Sequence, residues 1–430
     1  MVSSKSGPRS GESRYLEYRR QDDVKTLPQH LETTKQLEAQ LPLSVAYAHY
    51  VELLAQQEQV LSTAADLTAF DWALENNRFP NLNKINLTPA AHGILFKPLY
   101  PTPAFRALPY GFNYPLPRGW PAGQQDDRSP YEDWDHDGSK HKWRGFLHVP
   151  SSLARQGSTR LQELILDGNQ VWSGLTCGLF HASEPCAEYD NLVSVITKPG
   201  FTTLRLSLMV CSMSSKHYLA FRNGRLKQAL DTDLRSFFLE TDEECSPEQV
   251  SLRSYRGLDH FVPFRSIFPI DAWKSLAHVG LSRFVVKQQD LLSFLAAMPQ
   301  TLRSVELSFL WYLRGTGNYR DLLFGIRDEL GWEKRPAKPR LLIRYESASM
   351  LAGRAIWLED ELNDFLYNGG ENPYIDPSSP DSLADDALNP VVVRDGFGKE
   401  KDVFEPRFER PYDSPDKLIQ LGILKGWDED

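Results

Sequence analysis

Polar and apolar residues alternate in short runs along most of the chain. Six of these runs share one frame, with apolar residues at positions 1, 4 and 6. They are Leu82/Ile85/Leu87, Leu161/Leu164/Leu166, Phe201/Leu204/Leu206, Leu234/Phe237/Leu239, Leu276/Val279/Leu281 and Leu302/Val305/Leu307. In a strand, successive side chains point to opposite faces, so positions 4 and 6 share one face. Position 1 closes the same core from the entering loop. Each frame therefore predicts a half-buried strand, and Leu341-Leu342-Ile343 is read as a possible last one.

The period changes elsewhere. Tyr47, Tyr50, Val51, Leu54 and Leu61 fall close to one helical face after Ser44, an expected N-cap. Leu67, Phe70 and Leu74 mark a second helix from Asp66 that stops at Asn76-Asn77. Between the last two frames the pattern predicts a strand near Val279–Phe284, a helix capped by Asp290 and stopped by Pro299, and a strand near Val305–Phe309. Residues 1–40 are polar and are read as a disordered tail, with a frayed helix near Thr33–Gln40. After Gly353 one short helix ending at Gly369-Gly370 is expected, followed by an irregular acidic extension.

The run LQELILDGNQ, Leu161 to Gln170, reads L-x-x-L-x-L-x-x-N, the strand segment of a leucine-rich repeat. One such unit cannot bury its apolar face alone, whereas stacked neighbours can. The frames start at 82, 161, 201, 234, 276 and 302, giving spacings of 79, 40, 33, 42 and 26. Only the last falls in the usual range of roughly 20–29 residues, so the other units must carry insertions. The expected fold is α/β: an irregular leucine-rich-repeat-like solenoid, with a curved parallel sheet, outer helices and long loop insertions. Residues 41–350 form the expected repeat domain, with residues 91–150 as an insertion and residues 351–430 as an extension packing partly on the repeats.

The chain has 430 residues, 41% hydrophobic, and a net charge of −9. From Leu351 to Asp430 there are 8 Lys+Arg and 19 Asp+Glu, or −11, so the rest sums to −9 − (−11) = +2. No strongly basic domain stands out, which argues against nucleic acid as the main partner. No secretory leader and no run of the ~18 apolar residues needed for a membrane span is evident. A cytoplasmic or nuclear protein without a membrane partner is expected, and the Asn86-Leu87-Thr88 sequon is expected to be unused. Cys177, Cys186, Cys211 and Cys245 form no C-x-x-C and read as reduced thiols.

Catalytic signatures are sparse. No P-loop, G-x-S-x-G, G-x-G-x-x-G or H-E-x-x-H occurs. Asp133, Asp135, Asp137 and Gly138 match the first half of a calcium loop, but Lys140 and Arg144 stand where an aliphatic residue and a bidentate Glu are required. His136 and His141 add a weak transition-metal pattern to the same Asp133–His141 loop. A metal-binding protein or enzyme using this loop is the alternative reading. The main reading assigns no catalytic residue, cofactor or metal.

A binding surface remains. Between the core positions, Lys84, Asn86, Glu163, Asp167, Arg205, Glu240, His278 and Glu306 are expected to line one face of the sheet. They carry both charge signs, which suits a protein partner better than a polyanion. Pro98 to Pro121 holds seven prolines with Tyr110, Phe112, Tyr114 and Trp120 among its aromatics. It reads as a packed lid over a repeat edge or as a recognition loop.

The stretches FPNLNKINLTPAAHG, LPYGFNYPLPRGWP, ELILDGNQVWSGLTC, LRSFFLETD, FRSIFPIDAW, LAHVGLSRFVV, TLRSVELSFL, GRAIWLEDELNDFLYNGGENPY and FEPRFERP occur in this order. From about Leu43 to Pro411 the chain resembles filamentous-fungal F-box proteins with degenerate leucine-rich repeats. The resemblance implies a substrate receptor of a cullin-based ubiquitin ligase, in which the repeats hold an unidentified target protein and an F-box grips a Skp-type adaptor. Here Leu27-Pro28-Gln29-His30-Leu31 is the sole echo of the F-box opening L-P-x-E-[IL], and it lacks the Glu. The F-box is expected to be missing, and the adaptor to bind only if one lies upstream. A general interaction scaffold unrelated to ubiquitin is the further alternative.

Overall fold

The computed structural model describes residues 41–88, 120, 134, 140–156, 160–168, 173–210, 218–243, 260–313, 315–346, 354–375 and 393–402. The chain divides into two compact units. One comprises residues 1–78, 90–118 and 402–430, and the other residues 79–89 and 119–401.

In the first unit, α1 (Leu43–Thr63) and α2 (Ala65–Glu75) are joined at Ala64, whose φ of 52° lies in the left-handed region. The residue preceding α1 is Pro42, which caps it without a side-chain hydrogen bond, so Ser44 is inside the helix rather than its cap. Asn76 ends α2 as expected. Val45, Tyr47, Val51, Val60, Leu61 and Trp72 are all exposed.

The second unit is mixed α/β and is built on an open, mostly parallel sheet. Its first strands are β1 (Lys84–Leu87), β2 (Glu163–Leu166), the short β3 (Leu175–Thr176), β4 (Thr203–Met209) and β5 (Ser236–Thr241). Then come β6 (His278–Ser282), β7 (Val285–Val286), β8 (Ser304–Ser308), β9 (Trp311–Tyr312), β10 (Arg340–Glu346), β11 (Arg354–Leu358) and β12 (Lys399–Asp402). The main path runs β1-β2-β4-β5-β6-β8-β10-β11-β12, in chain order. All pairs from β1 to β10 are parallel, and β11 turns back antiparallel to β10.

The register follows the sequence frame. Ile85, Leu164, Leu204, Phe237, Val279, Val305 and Leu341 stand side by side across seven strands, as do Leu87, Leu166, Leu206, Leu239, Leu281 and Leu307 across six. From β2 onward these residues are buried, together with the position-1 residues Leu161, Phe201, Leu234, Leu276 and Leu302. A one-residue slip would turn every one of them to the other face, so burial of this face fixes the pairing.

Helices link the parallel strands. They are α3 (Arg144–Arg155), α4 (Ala187–Ile196), the short α5 (Leu219–Arg222), α6 (Arg225–Ala229) and α7 (Phe264–Ile267), then α8 (Gln288–Ala296), α9 (Tyr319–Glu329) and α10 (Asp360–Tyr367). Neighbours in this series touch in chain order, α3 against α4, α7 against α8, α8 against α9 and α9 against α10. Aromatic packing joins the layers: Phe237 of β5 meets Phe268 and Trp273, and Phe268 meets Phe294 of α8.

The ends of β6 and β8 share one turn. Buried Ser282 and Ser308 end β6 and β8, and each is followed by a residue of positive φ, Arg283 (60°) and Phe309 (53°). The chain then enters β7 and β9, which pair as Val285–Trp311 and Val286–Tyr312. The same backbone device thus recurs at matching register after β6 and β8.

Two local expectations are corrected. The residue before α8 is Lys287, and Asp290 lies in the first turn, where its carboxylate accepts the Phe264 N–H at 2.9 Å. It caps the neighbouring helix α7 instead of its own. The stretch after Gly353 opens with strand β11 before its helix, because Ala355 and Leu358 are buried against the sheet end.

Candidate functional site

Residues of the opposite parity share the other face of the sheet, in three rows across it. The first row, at the strand starts, is Lys84, Glu163, Thr203, Ser236, His278, Ser304 and Arg340. The second is Asn86, Ile165, Arg205, Phe238, Gly280, Glu306 and Leu342. The third, toward the strand ends, includes Ser207, Glu240, Ser282 and Ser308, flanked by Asp167 and Arg344. All eight residues expected on this face are on it.

Accessibility falls from row to row. Lys84, His278 and Arg340 of the first row are exposed, and the second row is half-buried except Gly280. Ser207, Glu240, Ser282, Ser308 and Arg344 are buried. Glu240 was expected to be open to a partner. It is 5% exposed, and its carboxylate accepts from Ser207 Oγ at 3.3 Å and Ser282 Oγ at 3.1 Å. A buried carboxylate needs such donors, and the serines of both flanking strands supply them. Next to it Arg344 pairs with Glu306, while Ser308 Oγ donates to Glu306 at 3.0 Å and accepts from Arg344 Nε at 3.2 Å. The third row is thus a hydrogen-bonded layer under the first two.

The second row holds the most contact-ready group. The guanidinium of Arg205 lies 4.1 Å from the centre of the Phe238 ring and 4.0 Å from Asp167. On its other side Phe238 leans over Gly280, where a β-carbon would stand 2.1 Å from Phe238 Cδ2. In the first row Lys84 and Glu163 pair at 3.6 Å, and Arg340 pairs with Glu359 at 2.8 Å. His278 Nδ1 meets Ser304 Oγ at 2.6 Å, and burial together with the nearby Arg235 and Arg303 guanidiniums lowers its pKa. This surface offers stacking, forked donors and carboxylates, and its Ser304–His278 contact sets a hydroxyl against an imidazole.

Of the Pro/aromatic loop, Trp120 is buried, 7% exposed, so its ring packs inside the chain and does not face a partner. Tyr110, Phe112 and Tyr114 lie outside the described residues. In the acidic/His loop only Trp134, Lys140 and His141 are described. Trp134 is buried against Trp143 and Phe146, and Lys140 pairs with Glu188 at 3.3 Å. Among the described residues no group of three His, Cys, Asp or Glu is placed to hold a metal ion. No helix among them is long and apolar enough to cross a membrane.

A second buried polar cluster went unpredicted. Glu243 accepts the Tyr218 hydroxyl at 2.5 Å and meets His260 Nδ1 at 3.2 Å, while Tyr218 and His260 stack at 4.7 Å. Glu243 and His260 bracket residues 244–259 in the chain, a separation with no local pattern to announce it. Phe238, Gly280, Arg344 and the buried serines were also missed, although the register that places Arg205 and Glu306 places them too. Comparison with protein-family models, curated proteins and solved structures found no match.

Proposed function

We propose that this chain is a non-catalytic protein-interaction module, and that its partner binds the first two rows of the polar sheet face. The fold reading that goes with it is an irregular leucine-rich-repeat-like solenoid. In its favour are parallel strands in chain order, one register for six frames, and the turn shared by β6–β7 and β8–β9. The observation that carries the functional reading is the half-exposed Arg205–Phe238 stack in the middle of a face continuous across seven strands. Arginine and aromatic groups held in place in this way are the usual anchors of protein interfaces. By its sequence resemblance the module corresponds to the target-holding part of an F-box ubiquitin-ligase receptor.

A photo-crosslinking amino acid at Ile165, beside Arg205, tests this in lysate, with the same group at exposed Glu329 as control. A defined protein trapped from position 165, absent from position 329 and lost on Arg205→Glu, is the expected result. Equal trapping at both positions, or none at 165, overturns it. Recombinant Skp-type adaptor added to the purified chain tests the ligase version separately: failure to bind removes that version and leaves the interaction reading standing.

A further inference from the structure

The starts of β5, β6 and β8 carry exposed arginines, Arg235 and Arg303, that form no ion pair with an acid among the described residues. Ala277 and His278 both donate their N–H to Arg235 O, at 2.7 and 3.1 Å, and Arg303 and Ser304 donate to Ala277 O at 2.7 and 3.1 Å. Residues 235, 277 and 303 therefore stand side by side on successive strands. With strands ~4.8 Å apart, the two arginines are rooted about 10 Å from each other. Between them stands Ala277, which is buried. Both arginines are exposed. The Arg235 guanidinium has no hydrogen-bond or ion-pair partner among the described residues, and Arg303 spends only Nη1, on the carbonyls of Gln300 and Leu302.

The two nearby acids, Asp233 and Glu359, have other partners among the described residues. Asp233 accepts from Ser275 N and Oγ at 2.8 and 2.7 Å, and Glu359 pairs with Arg340. Burial and then the Arg235 and Arg303 guanidiniums lower the pKa of His278, as expected of two cations close to its ring. We infer that this rim, Arg235, His278 and Arg303, is a subsite for an acidic peptide segment of the partner, a carboxylate lying between the two guanidiniums. The inference rests on the proposed interaction function and names the chemistry of what is bound. Guanidinium forks match carboxylates. The net charge of −9 disfavours a long polyanion more than a short acidic segment, which meets only local cations.

The test is fluorescence anisotropy of labelled octaglutamate with the purified full chain at low salt, beside an oligouridylate of equal charge. Wild-type protein should bind the peptide, and Arg235→Glu should weaken binding about ten-fold or more. Arg235→Glu breaks no internal contact, so its melting temperature should match wild type, and Arg303→Glu should add to the loss. The peptide should also raise the pKa of His278, read from its imidazole resonance. Absence of peptide binding, affinity unmoved by Arg235→Glu, an unmoved His278 titration, or tighter binding of the oligouridylate each overturns the assignment. Trapping at Ile165 does not depend on the rim, so it still reports on the interaction reading if the rim fails.

Discussion

The ring of Phe238 lies over Gly280 on the neighbouring strand, so that a β-carbon at position 280 would stand 2.1 Å from Phe238 Cδ2 and 2.7 Å from Cε2. Gly280→Ala must displace the ring, and with it the Arg205 guanidinium stacked on the far side. The ring is half-buried and has somewhere to go, so the expected cost is about 1–2 kcal/mol, at the lower end of core overpacking. Urea denaturation reads the stability change, and loss of crosslinking at Ile165 in the still-folded variant reads the binding face. Full stability together with full crosslinking would show that the stack is dispensable.

Asp242 holds two strands together beyond their last paired residues. Its Oδ1 accepts the Val210 N–H at 2.6 Å in a buried setting, at the frame position where the most regular run carries Asn169. Asp242→Ala leaves a buried backbone donor without that acceptor and should cost about 1–3 kcal/mol. Asp242→Asn keeps an oxygen at the same place and should cost clearly less. Equal losses in the two variants, measured by thermal melting, would mean that the charge and not the acceptor matters.

The alternation of Leu204/Leu206 or Val279/Leu281 is local, and burial of one face leaves one register, so the strands and their shared face were legible in the sequence. The lateral contacts were not. Glu240 reads like any surface acid until Ser207 and Ser282 are known to be its neighbours, 33 and 42 residues away. Asp290 looks like a helix cap, and only tertiary packing directs its carboxylate to Phe264. The strand RAIWL was obscured by the helical and acidic residues that follow it. The rim arginines were passed over because Arg235 and Arg303 flank different frames, and only pairing through Ala277 makes them neighbours.

Adjacent residues on β5 should differ in what truncation removes, stability at one and binding at the other. Leu239 is fully buried in the row of Leu206 and Leu281, and Leu239→Ala should cost about 3 kcal/mol, within the range for buried leucines. Phe238 faces the other way and is half-buried, so Phe238→Ala should cost less, about 1–2 kcal/mol, while abolishing crosslinking at Ile165. Guanidinium denaturation midpoints of the two variants separate the structural from the binding face. A larger stability loss for Phe238→Ala would place the core on the wrong side of the sheet.

Alkaline pH should unfold the sheet unit through its tyrosines. Burial raises the phenols of Tyr312, Tyr319 and Tyr374 well above their ordinary value near 10, and burial with the nearby Glu361 brings Tyr345 to about 12. A raised phenol keeps its proton in the folded chain while the unfolded chain ionises from about pH 10. Between those limits the folded state binds more protons, so stability is fully present below pH 10 and falls as pH rises above it. Each fully buried phenol contributes a slope of up to about 1.4 kcal/mol per pH unit. Ultraviolet absorbance of the tyrosinate form should therefore report a late ionisation step. The buried phenols should ionise in one step that coincides with loss of the far-ultraviolet circular dichroism signal. Tyr319 stacks on Tyr374 at 5.5 Å and meets Tyr312 at 5.3 Å, so the three should appear together. A single smooth phenol titration with the circular dichroism intact would mean that these side chains are not buried as a group.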